Sequence, residues 1–184
     1  MSTRIPPLEA PFTADVEADF NIVMPPGMPP LSIFKTVAHN PRVLHRMVRG
    51  GLLDKGSISL AERELVILRT CGLCKAEYEW GVHVAGFAAK AGFNAQQISD
   101  TAGEHSDLTL WNSEQQLLIQ LADQLHESNQ VDDVLWARLS EVYQPEQLVE
   151  LIMLAGLYHA ISFMVNACRI EREPFAPTFP GFKS

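Results

Sequence analysis

The feature that most narrows the fold of this chain is a repeated way of starting helices. Ser59 is followed by Glu62, Asn94 by Gln97 and Ser113 by Gln116, each a pair in which two side chains satisfy one another's orphan amides at a helix start. Runs with helical spacing follow: Leu65, Val66, Ile67, Leu68 and Cys71 after the first pair, and Leu117, Leu118, Leu121 and Leu125 after the third. From Leu31, the residues Ile33, Phe34 and Val37 share a face, and Asn40-Pro41 then supplies an N-cap and a first helical residue ahead of Val43, Leu44, Met47 and Val48. Gly50-Gly51 closes that helix. Another is expected from about Asp133 to Tyr143, and Pro145 opens a long one to about Ala167. No stretch keeps the period-two alternation of a half-buried strand. The prediction is an all-α fold of about eight helices with short connections.

At 184 residues the chain suits one domain able to bury most of its apolar surface. Residues 1–30 carry seven prolines, so they are expected to form an extended or looped arm, anchored by Phe12, Phe20, Ile22 and Val23 and able to reach over a neighbour. Residues 31–173 form the single helical domain, and 174–184, with Pro174, Pro177 and Pro180, a loop-like tail. A net charge of −8 disfavours nucleic acid and anionic membrane as partners, since both require a positive field. Three cysteines do not make a disulfide scaffold, and MSTRIPPLEAPF lacks the apolar core of a secretory signal, so a cytoplasmic protein with reduced thiols is expected. The apolar run Leu151 to Val165 is shorter than the roughly 20 residues needed to span a bilayer and holds His159, so it reads as a buried core helix. No membrane partner is expected.

The residues that carry chemistry concentrate between Ser59 and Gly92. The helix opened by Ser59 should weaken at Gly72, and a second should run from near Ala76 to Gly92, where a residue without Cβ can turn left-handed. On that second helix Glu79 and His83 are four apart and share a face. A carboxylate orienting an imidazole makes a general base, with the carboxylate raising and burial lowering the histidine pKa. Glu64, on the preceding helix, could face the same pocket. The plainer alternative is a surface ion pair worth about 0.3 to 0.5 kcal/mol. Tyr78 and Trp80 flank Glu79 as candidates to line a substrate pocket, and Arg69 could hold a substrate carboxylate through its planar fork.

Cys71 and Cys74 form a C-x-x-C that can be a redox pair, half of a zinc site or two buried thiols. Both sit towards a helix C-terminus, where the dipole opposes thiolate formation. Zinc would need two more ligands, and His83 and Cys168 are the candidates without a recognisable second pair, so no metal is expected. His159, Tyr158 and Asn166, in the apolar helix, read as hydrogen-bonded core residues.

With Glu64, the EYEWGVH segment (Glu77 to His83) and the glycine-bounded helix in view, the chain resembles the carboxymuconolactone decarboxylase family, which includes alkylhydroperoxidase D. The close match covers about residues 59 to 100. The resemblance implies an alkylhydroperoxidase D-like helical bundle and a homo-oligomer, commonly a trimer or hexamer. In the peroxidase branch a glutamate, a C-x-x-C and a histidine act together. Setting His83 on that histidine places Glu64 on the glutamate, Ala76 on the first cysteine and Glu79 on the second. Cys71 and Cys74 then lie five residues too early, so the thiols are missing where that chemistry needs them. The decarboxylase branch needs no cofactor in its reaction on a carboxylated γ-lactone. The resemblance thus implies cofactor-free acid/base chemistry by Glu64, Glu79 and His83 on a small carboxylated lactone or related organic acid. The alternatives are a thiol peroxidase or disulfide reductase using Cys71 and Cys74, and a helical oligomer that binds a small ligand without chemistry.

Overall fold

The protein's structure, a computed structural model, describes residues 2–181; Met1 and the last three residues of the expected tail lie outside that range. Among the described residues there are nine α-helices and no strand. They are α1 (Ala14–Val23), α2 (Ser32–Val37), α3 (Pro41–Arg49), α4 (Leu60–Leu73), α5 (Glu77–His83), α6 (Ala95–Thr101), α7 (Ser113–Ser128), α8 (Asp133–Val142) and α9 (Pro145–Cys168), with a π-helical stretch at Val84–Ala88 and a 3-10 turn at Leu108–Leu110. The expected all-α architecture is what the described residues adopt.

The capping signals act as the sequence suggests. Ser59 accepts from the Glu62 amide at 3.2 Å while Glu62 accepts from the Ser59 amide at 2.7 Å. Asn94 and Gln97 do the same for α6, and Asn40 caps α3 ahead of Pro41. At α7 the pair is displaced by one residue, to Asn112 and Gln115. Gln116 instead donates to the carbonyls of Leu108 and Trp111, both at 2.9 Å, and so ties the preceding turn to the helix.

α4 is the axis of the bundle. Every residue from Glu64 to Gly72 is buried, because α7, α9 and α5 pack around it and α6 meets its C-terminal end. A helix enclosed on all sides can carry apolar residues all round. Gly72 does not end it. A Cβ there would come within 2.1 Å of the Thr101 carbonyl oxygen, so this glycine admits the backbone of α6 to close approach. The stop comes later, at Lys75, which takes a left-handed φ of 54° while the Ala76 amide reaches back to the Cys71 carbonyl at 2.9 Å, a Schellman closure. Gly92, with φ 83°, supplies the other stop where it was expected.

Three expectations need correction. The N-terminal arm is not wholly extended or looped: its prolines flank rather than interrupt Ala14–Val23, so α1 forms and buries Val16 and Phe20 against the chain's own core. The second helix does not run evenly to Gly92, since it widens into the π-helical stretch directly after His83. α9 has the expected length but is not fully buried. It is 24 residues long with a mean hydropathy of 1.9 over its most apolar window, long and apolar enough to cross a membrane by length and composition alone. Here its inner face packs on α4 and α5, while Val149, Met153 and Phe163 are 62%, 61% and 66% exposed on the other.

The tail folds back over α5. The Phe179 amide donates to Glu77 at 2.8 Å, and the Phe179 ring lies 5.2 Å from Trp80.

Candidate active site

The turn between α4 and α5 reverses the chain so that their inner faces meet, and α9 closes the third side. Glu64 from α4, Glu79 and His83 from α5, and Tyr158 from α9 converge there, all buried. His83 Nδ1 lies 2.7 Å from Glu64 Oε2, and its Nε2 lies 2.9 Å from the Tyr158 hydroxyl and 3.5 Å from Glu79 Oε1. Glu64 is 0% and His83 2% exposed, which removes the surface ion pair as an account of Glu79 and His83. Arg63 donates through Nε to the other Glu64 oxygen at 3.0 Å and through Nη1 to the Leu53 carbonyl at 2.7 Å. The second oxygen of Glu79 is buried without a partner, an acceptor left open within the cluster.

The electrostatics follow from this crowding. Burial alone would drive His83 towards neutrality, but the Glu64 and Glu79 carboxylates bonded to the ring outweigh it and lift its pKa to about 9. An imidazolium between two carboxylates is therefore the resting state at neutral pH. Burial, with the nearby Glu79 carboxylate, holds the Tyr158 hydroxyl well above its usual pKa, so it remains a proton-bearing group. Phe87, from the π-helical stretch, covers the imidazole at 5.3 Å, and the Arg63 guanidinium lies 5.5 Å above the Phe87 ring. Arg63 also borders a cleft of about 280 Å³ with Leu53, Lys55, Ile58, Leu60 and Glu150. Its guanidinium therefore links solvent to the buried pair. A roomier cleft of about 540 Å³ lies beneath α1, among Phe12, Phe20, Met24 and Met28, and none of the convergent acid/base groups borders it.

Several expected site residues serve elsewhere. Arg69 is 1% exposed, with its donors directed to Asp123 at 2.6 Å and to the carbonyls of Gly103 at 2.7 Å and Glu104 at 3.4 Å. It fastens the loop after α6 rather than holding a substrate carboxylate. Tyr78 donates to Glu173 at 2.7 Å and accepts from the Ile33 amide at 3.1 Å. Trp80 donates to Thr101 at 2.9 Å. Both brace α5 from its outer side. Cys71 and Cys74 are free thiols, the first fully buried. Burial and the Glu79 carboxylate push Cys71 well above its ordinary pKa, and burial raises Cys74 as well.

Two contributors to the array, Tyr158 and Arg63, escape the sequence reading. Tyr158 was assigned to the core, where it does lie, but its hydroxyl completes the chain of bonds through His83. Cys74 meets neither His83 nor Cys168 as a ligand partner; His126 and His159 gather beside it instead. No local spacing joins these three residues, which are brought together by the packing of α4, α7 and α9. Tyr158 did carry a weak signal, as a hydroxyl in an otherwise apolar helix run.

Comparison with known proteins bears on the fold and on the family of the central helices. Residues 41–123 match the model of the Carboxymuconolactone decarboxylase family. No curated protein sequence matches the chain significantly. Among solved structures, an uncharacterized peroxidase-related protein with an alkylhydroperoxidase AhpD core from Ralstonia eutropha JMP134 superposes with a TM-score of 0.78 at 15% identity, covering 94% of this chain and 95% of that one. A peroxidase-related protein from Silicibacter sp. TM1040 gives 0.75 at 15% identity, over 90% and 88% of the two chains. A cysteine-to-alanine variant of the debrominase Bmp8, in complex with 2,3,4-tribromopyrrole, gives 0.68 at 17% identity, over 95% and 94%. At these identities the neighbours speak for the fold, and the family match spans the helices that carry Glu64, Glu79 and His83. Residues 41–123 of this chain therefore match the carboxymuconolactone decarboxylase family, and the chain as a whole has the alkylhydroperoxidase D-like helical fold.

Proposed function

We propose that this chain is a cofactor-independent acid/base enzyme acting on a small carboxylated lactone or a related organic acid. The observation that carries the reading is the buried, continuous array Glu64–His83–Tyr158 with the open Glu79 oxygen beside it. A carboxylate, an imidazole and a hydroxyl in series can pass a proton along one path. In the proposed reaction the bond to the departing carboxylate breaks, and the electron pair moves into the unsaturated lactone. A proton delivered to carbon then neutralises it. His83, held as imidazolium by its two carboxylates, is the donor at hand, reaching substrate directly or through Tyr158. Glu64 orients the ring, Arg63 bonds the far oxygen of Glu64 and holds it in place, and Glu79 can return the proton.

Turnover of a panel of carboxylated lactones tests this. His83→Ala and Glu79→Gln should each lower it by roughly 10² to 10⁴, the usual worth of a positioned acid or base. Unchanged turnover in both variants would remove the proposed roles.

The rival is thiol peroxidase or disulfide reductase activity through Cys71 and Cys74, kept in view by the peroxidase-related proteins of the same fold. Against it stand the raised thiol pKa values, since a nucleophilic thiol needs the opposite shift. Thiol titration before and after peroxide separates the two, because consumption of both thiols is expected of the rival alone. A purely ligand-binding oligomer is less well supported, as the array is enclosed rather than spread on open surface.

A further inference from the structure

Outside the acid/base array, three metal-ligating side chains from three different helices point at one another. Cys74 caps the C-terminus of α4, His126 lies in the last turn of α7 and His159 sits in the middle of α9. Cys74 Sγ is 3.7 Å from His126 Nδ1, which is 3.1 Å from His159 Nε2, and the three ligand atoms all lie within 4.8 Å of one another. Zinc bonds of roughly 2.0–2.1 Å to nitrogen and 2.3 Å to sulfur, arranged tetrahedrally, would set N···N at about 3.3 Å and S···N at about 3.6 Å. The two observed edges fall beside those values.

The hydrogen bonding points the same way. His159 presents Nδ1 to the Ala155 carbonyl at 2.9 Å. That contact requires the proton on Nδ1 and leaves the Nε2 lone pair facing His126, the outer-sphere arrangement that orients ligating histidines. His126 Nδ1 then has a lone pair and a sulfur as neighbours, and a single N–H cannot be directed well at both. One cation would satisfy the sulfur and both nitrogens together. Cys74 is held as firmly, since its carbonyl accepts from Asn166 Nδ2 at 2.9 Å and the Schellman turn at Lys75 fixes its backbone.

We infer that Cys74, His126 and His159 form a binding site for one zinc-class divalent cation, independent of the acid/base array and sharing no residue with it. One sulfur and two imidazole nitrogens suit a borderline ion such as Zn²⁺ and not Ca²⁺ or Mg²⁺, which take oxygen. Three protein ligands leave a fourth position for water or an exogenous group, on the side where His126 is exposed.

Cobalt titration of the full, reduced chain tests the inference. One equivalent of Co²⁺ should give a thiolate-to-cobalt charge-transfer band with intense visible bands of a tetrahedral centre, and Zn²⁺ should abolish both by displacement. Cys74→Ser should remove the charge-transfer band. His126→Asn, at an exposed position, should leave the circular dichroism unchanged and weaken binding by more than the roughly 10- to 100-fold that loss of a supporting bond costs. His159→Asn should do likewise, whereas Cys168→Ser should leave the titration as in the parent. A Co²⁺ spectrum without the thiolate band, a band that survives in Cys74→Ser, or an affinity unchanged in folded His126→Asn would each overturn the site.

Discussion

The buried imidazolium makes stability depend on pH in a direction and window that can be worked out. His83 has an ordinary pKa of 6.5 when unfolded and about 9 in the folded protein, so folding binds a proton more tightly. At about 1.4 kcal/mol for each pH unit, the difference is worth roughly 3 kcal/mol. Solvent screening reduces it little, because Glu64 and His83 are both enclosed. The sign follows from a raised pKa on a base. The stabilisation is complete below about pH 6.5, declines as pH rises, and is gone above about pH 9. What remains at high pH is a neutral ring between two buried carboxylates. Urea unfolding followed by tryptophan fluorescence across this range should show the parent losing roughly 3 kcal/mol more than His83→Gln, whose replacement does not titrate. Subtracting the variant's profile removes cysteine, lysine and tyrosine titrations common to both. If the two profiles run parallel, His83 does not hold its proton through the folded state, and the charge assignment in the array is wrong.

Other consequences are as direct. Tyr158→Phe keeps the ring bonded to Glu64, so it should cost only about 1 kcal/mol of stability, while lactone turnover falls by at least roughly 10²-fold; unaffected turnover would take Tyr158 out of the proton path. Gly72→Ala should destabilise by roughly 1–3 kcal/mol in thermal or urea unfolding, because the clash with the Thr101 carbonyl outweighs a helix-propensity gain of about 1 kcal/mol. If the homo-oligomer that the family resemblance implies forms, the apolar stripe of Val149, Met153 and Phe163 is the face expected to meet a second copy. Phe163→Glu should then shift the mass in sedimentation towards the monomer, and an unchanged mass would place the interface elsewhere.

What could be read from the sequence was whatever depends on neighbours in the chain. The caps at Ser59 and Asn94, the proline-led start of α3 and the left-handed stop at Gly92 are local devices, and all act as expected. Glu79 and His83 share a face because four residues make about one helical turn. Glu64 reaches them because α4 and α5 are joined by a short turn. Residues whose roles depend on distant packing were not visible. Arg69 has the chemistry of a substrate clamp, and only the folded loop after α6 shows that its donors are occupied. Gly72 looks like a break in any helix, and its use becomes plain only when Thr101 is set against it. α1 was hidden by the prolines around it, which bound the helix without entering it.

The bonds that assemble the array also differ in how far apart along the chain their partners lie. Glu64 and His83 are 19 residues apart, Tyr158 and His83 are 75 apart, and the Phe179 amide that steadies Glu77 is 102 away. Longer closures carry a larger entropy cost and form more slowly. During synthesis the carboxylate–imidazole pair can therefore form as soon as α5 leaves the ribosome, yet it must await α9 and then the returning tail before water is shut out. A chain stalled after α8 would hold the charged pair with neither the tyrosine nor the cover, and would be the form most open to proteolysis and aggregation.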